Sequence, residues 1–237
     1  MYSELQLDRI GETIAALEKR IGERFPGSGL SRVAAELHRL ADRTGAVVER
    51  LRRPVWMLRI AAAIGIAAIL GVSVAVAFLG LRTSIRMQSV LDVLQGSEVA
   101  INDIILISAA IFFFLTLETR VKRRAALRAL HRLRSIVHIV DMHQLSKDPE
   151  HLLAPAMSTA SSPRRTFTRF ELARYLDYCA EMLSLSSKLA ALHVQYLNDP
   201  VVLDAVNDIE TLAASLSNKI WQKIMILDIA IPEGAGS

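Results

Sequence analysis

Cysteine is almost missing from this chain, glycine is absent from Gly96 to Gly234, and aromatic residues make up only 5% of its 237 positions. Each shortage excludes something. With Cys179 as the sole cysteine there is no intramolecular disulfide and no CxxC metal site, which fits a reduced, cytoplasmic setting. The few aromatics do not interleave with the basic clusters, so the stacking platform of a single-stranded nucleic-acid binder is lacking and no nucleic-acid partner is expected. Without glycine over most of the second half, tight β-hairpin turns lose their usual residue, and no period-2 alternation marks a strand. All seven prolines stand at or beside the boundaries of helical patterns. The expected fold class is therefore all-α. Phosphate-loop and dinucleotide fingerprints need clustered glycines after a strand, and a GxSxG elbow needs a strand-to-helix turn. None occurs, so neither a cofactor nor an enzymatic activity is expected.

Charge is missing too, where it matters most. From Ile60 to Leu81 the chain has no charged side chain, and this stretch, wound as a helix, covers roughly the 30 Å hydrocarbon core of a bilayer. A second apolar stretch, Val99 to Leu117, reaches across if Asn102 and Asp103 stand at headgroup level. The competing reading, two buried helices of a soluble bundle, would leave some polar face, whereas Ile104 to Leu117 offers only Ser108 and Thr116. A cleaved signal peptide would begin at the N-terminus, yet polar-patterned sequence precedes the first stretch. The expectation is a two-helix transmembrane hairpin. Neither span carries a charge at mid-depth, which disfavours transport by a single chain.

Orientation follows from the basic residues near the spans. Arg50, Arg52, Arg53 and Arg59 precede the first, and Arg120, Lys122, Arg123, Arg124 and Arg128 follow the second. Only Arg82 and Arg86 lie between, so both termini are expected to be cytoplasmic, at a bacterial-type inner (plasma) membrane. The formal net charge is only +4, but the basic residues gather at the membrane exits, pointing to a bilayer with anionic headgroups as partner. Arg52, Arg53, Trp56, Arg59, Arg120, Lys122, Arg123 and Arg124 are the expected headgroup anchors.

The soluble segments read as helices. Leu7, Ile10, Ile14, Leu17 and Ile21 form one stripe, Phe25 to Gly29 breaks it, and Val33, Leu37, Leu40, Thr44, Val47 and Leu51 resume it, giving an N-terminal helical hairpin over 1–54. The membrane hairpin then occupies 55–118, with spans at about 60–81 and 99–117 and a short outer connection over 82–98. That connection is either a loop or an interfacial helix, and Gly96 and Ser97 are expected to turn the chain back. Since Thr119 to Ser146 holds no Gly or Pro, the second span should continue unbroken through 119–148. A linker over 149–167 precedes Thr168, whose spacing to Glu171 matches a capping box. A C-terminal hairpin over 168–230 follows, its second helix opened by Asp199 as cap and Pro200 as first residue. Residues 231–237 are expected to be a disordered tail.

Three groups invite a functional reading. His131, Arg134, His138 and Asp141 share one sector of a helix, with His143 pointing elsewhere, and could form a metal or anion site. One ion cannot bridge His131 and His138 unless His38, His151 or His193 converges, so hydrogen bonds and ion pairs at the edge of the bundle are the simpler role. No metal is therefore assigned. Ala63, Ala67, Gly71 and Ala75 recur every four residues and offer a smooth face to the second span or to a second subunit, although an Ala-rich span produces such rows by composition alone. Tyr175, Tyr178 and Tyr196 line the widest apolar stripe, from Thr168 to Leu197, where Cys179 has no base nearby to activate it. That stripe needs cover on more than one side, either from the N-terminal hairpin or from a second copy, so a homo-oligomer is expected.

The expected function is a membrane-anchored helical interaction or scaffold protein without catalytic chemistry, which takes protein partners through its cytoplasmic helices. Two alternatives stand beside it: a small oligomeric channel or transporter, and a membrane-bound metal- or anion-binding sensor or enzyme that uses the His131–Asp141 sector.

Overall fold

A computed structural model describes residues 4–83, 90–147, 149 and 167–230. Every regular element among them is a helix: α1 Leu7–Arg24, α2 Gly29–Arg52, α3 Trp56–Thr83, α4 Val90–Leu145, α5 Arg169–Tyr196 and α6 Pro200–Ala230. Most of the expected linker over 149–167, the centre of the outer connection, His151 and the tail over 231–237 lie outside the described residues.

Local chemistry sets the helix ends. α1 stops where the Phe25 N–H donates to the Ile21 carbonyl, and Gly27 then takes φ 66°, a left-handed conformation that only glycine adopts without strain. The Ser28 hydroxyl accepts from the Ser31 N–H at 3.1 Å and opens α2. At α5 the capping box is complete, with the Glu171 N–H donating to Thr168 Oγ1 at 3.2 Å and the Thr168 N–H donating to Glu171 Oε2 at 2.8 Å.

The chain divides into two compact units, Met1–Arg52 with Arg123–Ser237, and Arg53–Lys122. The first is a helical bundle. α1 buries Ile10, Ile14, Leu17 and Ile21; α4 contributes Leu130, Leu133, Val137 and Val140 from its second half; α6 contributes Val202, Val206, Ile209, Leu216 and Ile220. At the centre stands α5, buried on several sides: Leu176, Cys179, Met182, Leu183, Leu189 and Leu192 are each fully enclosed. α6, α2 and α1 all pack on it. The cover that this broad stripe needs is thus supplied within one chain, and α5 gives no reason to invoke a second copy.

The second unit holds α3 and the first part of α4. Each of these helices is long and apolar enough to cross a membrane, and the protein itself covers almost none of the apolar stretches concerned, 6% of one and 0% of the other. Gly65 faces Phe114 so closely that a Cβ there would stand 2.7 Å from the ring tip, so a side chain at this position would push the ring aside. Among the described residues of the first span, Ala62, Gly65, Ile66, Ile69 and Ser73 are partly covered and fall on one side of the helix.

One expectation is corrected here. The chain does not turn at Gly96 and Ser97, because α4 begins at Val90 and runs through both. A lone glycine costs a long helix only about 1 kcal/mol, less than is needed to break it. Of the small-residue row Ala63, Ala67, Gly71 and Ala75, all are exposed, and Ala63 lines a cleft with Phe114 and Leu115 of α4.

Candidate functional site

The His131–Asp141 sector does not gather around a common point. His131 and His138 are exposed, Arg134 reaches across to Asp208 at 3.5 Å, and Asp141 accepts a hydrogen bond from Gln144 Nε2 at 2.7 Å. Gln144 in turn is buried and takes the Lys223 ammonium on its Oε1 at 2.8 Å and on its carbonyl at 3.0 Å, tying α4 to α6. Among the described residues no three His, Cys, Asp or Glu side chains stand close enough together to hold a metal ion. His143 lies elsewhere, as its position on the helix requires, with its ring against the backbone of Gly29. For exposed His138, replacement by alanine should change the stability of the purified protein by less than about 0.5 kcal/mol and leave its metal content unaltered. A thermal melt and elemental analysis of the variant check both.

Two aromatic residues of the tyrosine row are buried in a cluster with Phe25 and Phe167. Phe25 meets the Tyr175 ring edge-on at 5.4 Å, and the Lys147 ammonium lies 4.5 Å from the Phe167 centroid and 5.3 Å from that of Tyr175. Burial pushes the Tyr175 hydroxyl well above the ordinary tyrosine range. Burial likewise pushes the Cys179 thiol up to about 12, far from thiolate chemistry at neutral pH.

His193 does not converge on the His131–Asp141 sector but lies within the bundle core. It is fully enclosed; Nδ1 lies 3.1 Å from the Leu189 carbonyl oxygen, so the proton sits on Nδ1 and is donated there. Nε2 is then an acceptor with no partner. Burial, partly opposed by the bonds to the Leu189 and Ala190 carbonyls, lowers its pKa; burial and the nearby charges of Arg32 and Lys147 lower that of His143. As pH falls from the ordinary value of 6.5 toward the depressed folded values, the unfolded chain takes up protons first and stability is lost. A pH series of melts should show this loss, with a slope of at most about 1.4 kcal/mol per pH unit from His193. His193→Leu should flatten the series without lowering stability at pH 8, and an unchanged slope would refute the assignment.

The expected headgroup anchors separate into different roles. Arg52 and Arg124 are exposed, as is Trp56 at 66%. Arg120 lies over the Phe113 ring at 5.5 Å. Arg123 is instead committed inside the bundle: its Nε donates to Asp199 Oδ2 at 2.8 Å, while Asp199 Oδ1 accepts from the Val201 and Val202 N–H groups at 3.1 and 3.2 Å and caps α6. Burial raises the Asp199 pKa, but the bonds from Arg123 and the backbone outweigh it and hold the carboxyl below the usual range.

At the ends of the apolar stretches Glu118 collects three donors. Arg59 Nε donates to Oε2 at 2.7 Å, the Val55 N–H to Oε1 at 3.2 Å, and Lys122 Nζ stands 3.0 Å from Oε1. Burial raises its pKa; the donors outweigh it and hold the carboxyl at about 2, so the trio carries one net positive charge across the physiological range. A count of basic residues does not reveal this, because it leaves out the carboxylate of Glu118.

No family model, curated protein or solved structure matches the chain.

Proposed function

We propose that this is a membrane-anchored interaction protein: α3 and the first part of α4 form a transmembrane hairpin, and the bundle is its cytoplasmic domain. The observation that carries this reading is the contrast in cover. The bundle buries a continuous apolar core that includes Leu130, Leu133, Leu176, Leu183 and Leu189, whereas α3 and the first part of α4 bury almost none of theirs and leave Ile64, Val74, Ile104, Leu106 and Phe112 each about 60% or more exposed, a surface that water does not tolerate and hydrocarbon does. Arg59, Trp56, Lys122 and Arg120 stand at one end of that surface, where basic and indole side chains suit headgroups. The excess of arginine and lysine outside the hairpin favours a cytoplasmic bundle, which would present its outer face to protein partners.

Accessibility labelling of intact cells tests the arrangement. In a Cys179→Ala background, Ser89→Cys should react with a membrane-impermeant maleimide and Ser184→Cys should not. The reverse pattern would place the bundle outside.

A second reading draws on the uncovered row Ala63, Ala67, Gly71 and Ala75, on which copies of α3 could pack closely to form a small oligomeric channel or transporter. Protein reconstituted in vesicles that passes neither ions nor small solutes would remove it.

A further inference from the structure

We propose that the cleft between the start of α3 and the Phe114–Glu118 segment of α4 binds one anionic phospholipid, with an acyl chain in the cleft and the phosphate on Arg59. This rests on the membrane reading above and adds a defined lipid site to it. The cleft holds about 360 Å³ and is walled by Leu58, Ala62, Ile66, Phe114 and Leu115, with Ala63 at its rim. Room exists there because Ala62 and Ala63 carry only a methyl group beside the longer Leu58, Arg59 and Ile66.

Its charge selects the occupant. Arg59 and Glu118 border the cleft. Glu118 uses one oxygen for Arg59 Nε and the other for Lys122, so two cations share one anion. The Arg59 terminal amino groups remain to donate from a side chain that is 54% exposed, with its guanidinium 6.0 Å from the Trp56 ring. A soluble anion would gain nothing from the apolar walls, and an uncharged hydrocarbon nothing from the excess positive charge. A zwitterionic lipid brings a cation of its own toward Arg59 and Lys122, whereas an anionic phospholipid satisfies walls and charge together.

The test uses the full-length protein in detergent, titrated with phosphatidylglycerol or phosphatidylcholine, and counts retained lipids by native mass spectrometry. Wild type should retain one phosphatidylglycerol per chain, preferred about fivefold over phosphatidylcholine. Arg59→Gln should abolish the preference, while Arg124→Gln, an equal loss of charge away from the cleft, should keep it. Ala63→Phe should lose the retained lipid, and Ala62→Leu, a smaller filling, should do the same if the larger ring disturbs the fold. Equal retention of the two lipids by wild type, or undiminished phosphatidylglycerol on a folded cleft-filled variant, overturns the site. Flotation separates the two levels of failure: protein that floats with neither kind of vesicle refutes the membrane reading and the site with it. Protein that floats with both but retains no preferred lipid refutes the site alone.

Discussion

Arg123→Ala should destabilise the bundle by about 3–5 kcal/mol, more than removal of its partner Asp199. The asymmetry follows from burial. The Asp199 side chain is 1% exposed and that of Arg123 is 36% exposed, so a lone Asp199 carboxylate stays buried without its countercharge, whereas a lone Arg123 can turn to water. Asp199→Ala removes the α6 cap as well as the ion pair, and about 2–3 kcal/mol is expected from the two together. Asp199→Asn keeps the cap, since asparagine serves there as well as aspartate, and should fall below Asp199→Ala in cost. Chemical denaturation of the four proteins above pH 6 gives the ranking. Equal costs for Arg123→Ala and Asp199→Ala would show that the carboxylate relaxes to solvent. As pH falls through the depressed folded pKa of Asp199, the contribution of the pair is lost and the wild type should approach the variants.

Leu189→Ala should cost a comparable amount, about 2–5 kcal/mol. Leu189 is 0% exposed on the helix that three others pack against, so the walls of the resulting cavity belong to several elements and cannot collapse together. A replacement on the rim of the same helix, Ser184→Ala, touches an exposed position and should stay within about 0.5 kcal/mol. If Leu189→Ala cost under about 1 kcal/mol, α5 could not be the rigid centre described here.

The outlines of the helices were legible because their apolar residues recur at three and four and their ends carry recognisable chemistry. Thr168 with Glu171, and Asp199 before Pro200, could be read as caps from spacing alone, since a cap acts within three residues of itself. What could not be read was anything that depends on the opposing surface. A helical wheel places Arg123 among the membrane-proximal basic residues but cannot see Asp199, 76 residues further on. It places His131, Arg134, His138 and Asp141 in one sector, yet each meets a different environment, because Asp208 and Gln144 reach Arg134 and Asp141 separately. Nor does it pick out Gly65, whose missing side chain admits the Phe114 ring, because a ring seeking a gap is not a periodic signal.

The order of the chain imposes a delay on the bundle. α1 and α2 are made first, but α5, which covers their apolar faces, is complete only at Tyr196, after both apolar stretches. At roughly 5–20 residues per second, synthesis of the intervening chain takes on the order of ten seconds. Throughout that interval Leu17, Ile21, Leu30 and Leu37, all buried at the end, lack their final cover. A ribosome halted after the second apolar stretch should therefore display an N-terminal hairpin that is digested readily by protease and bound by chaperones, and one halted past Ala230 should not.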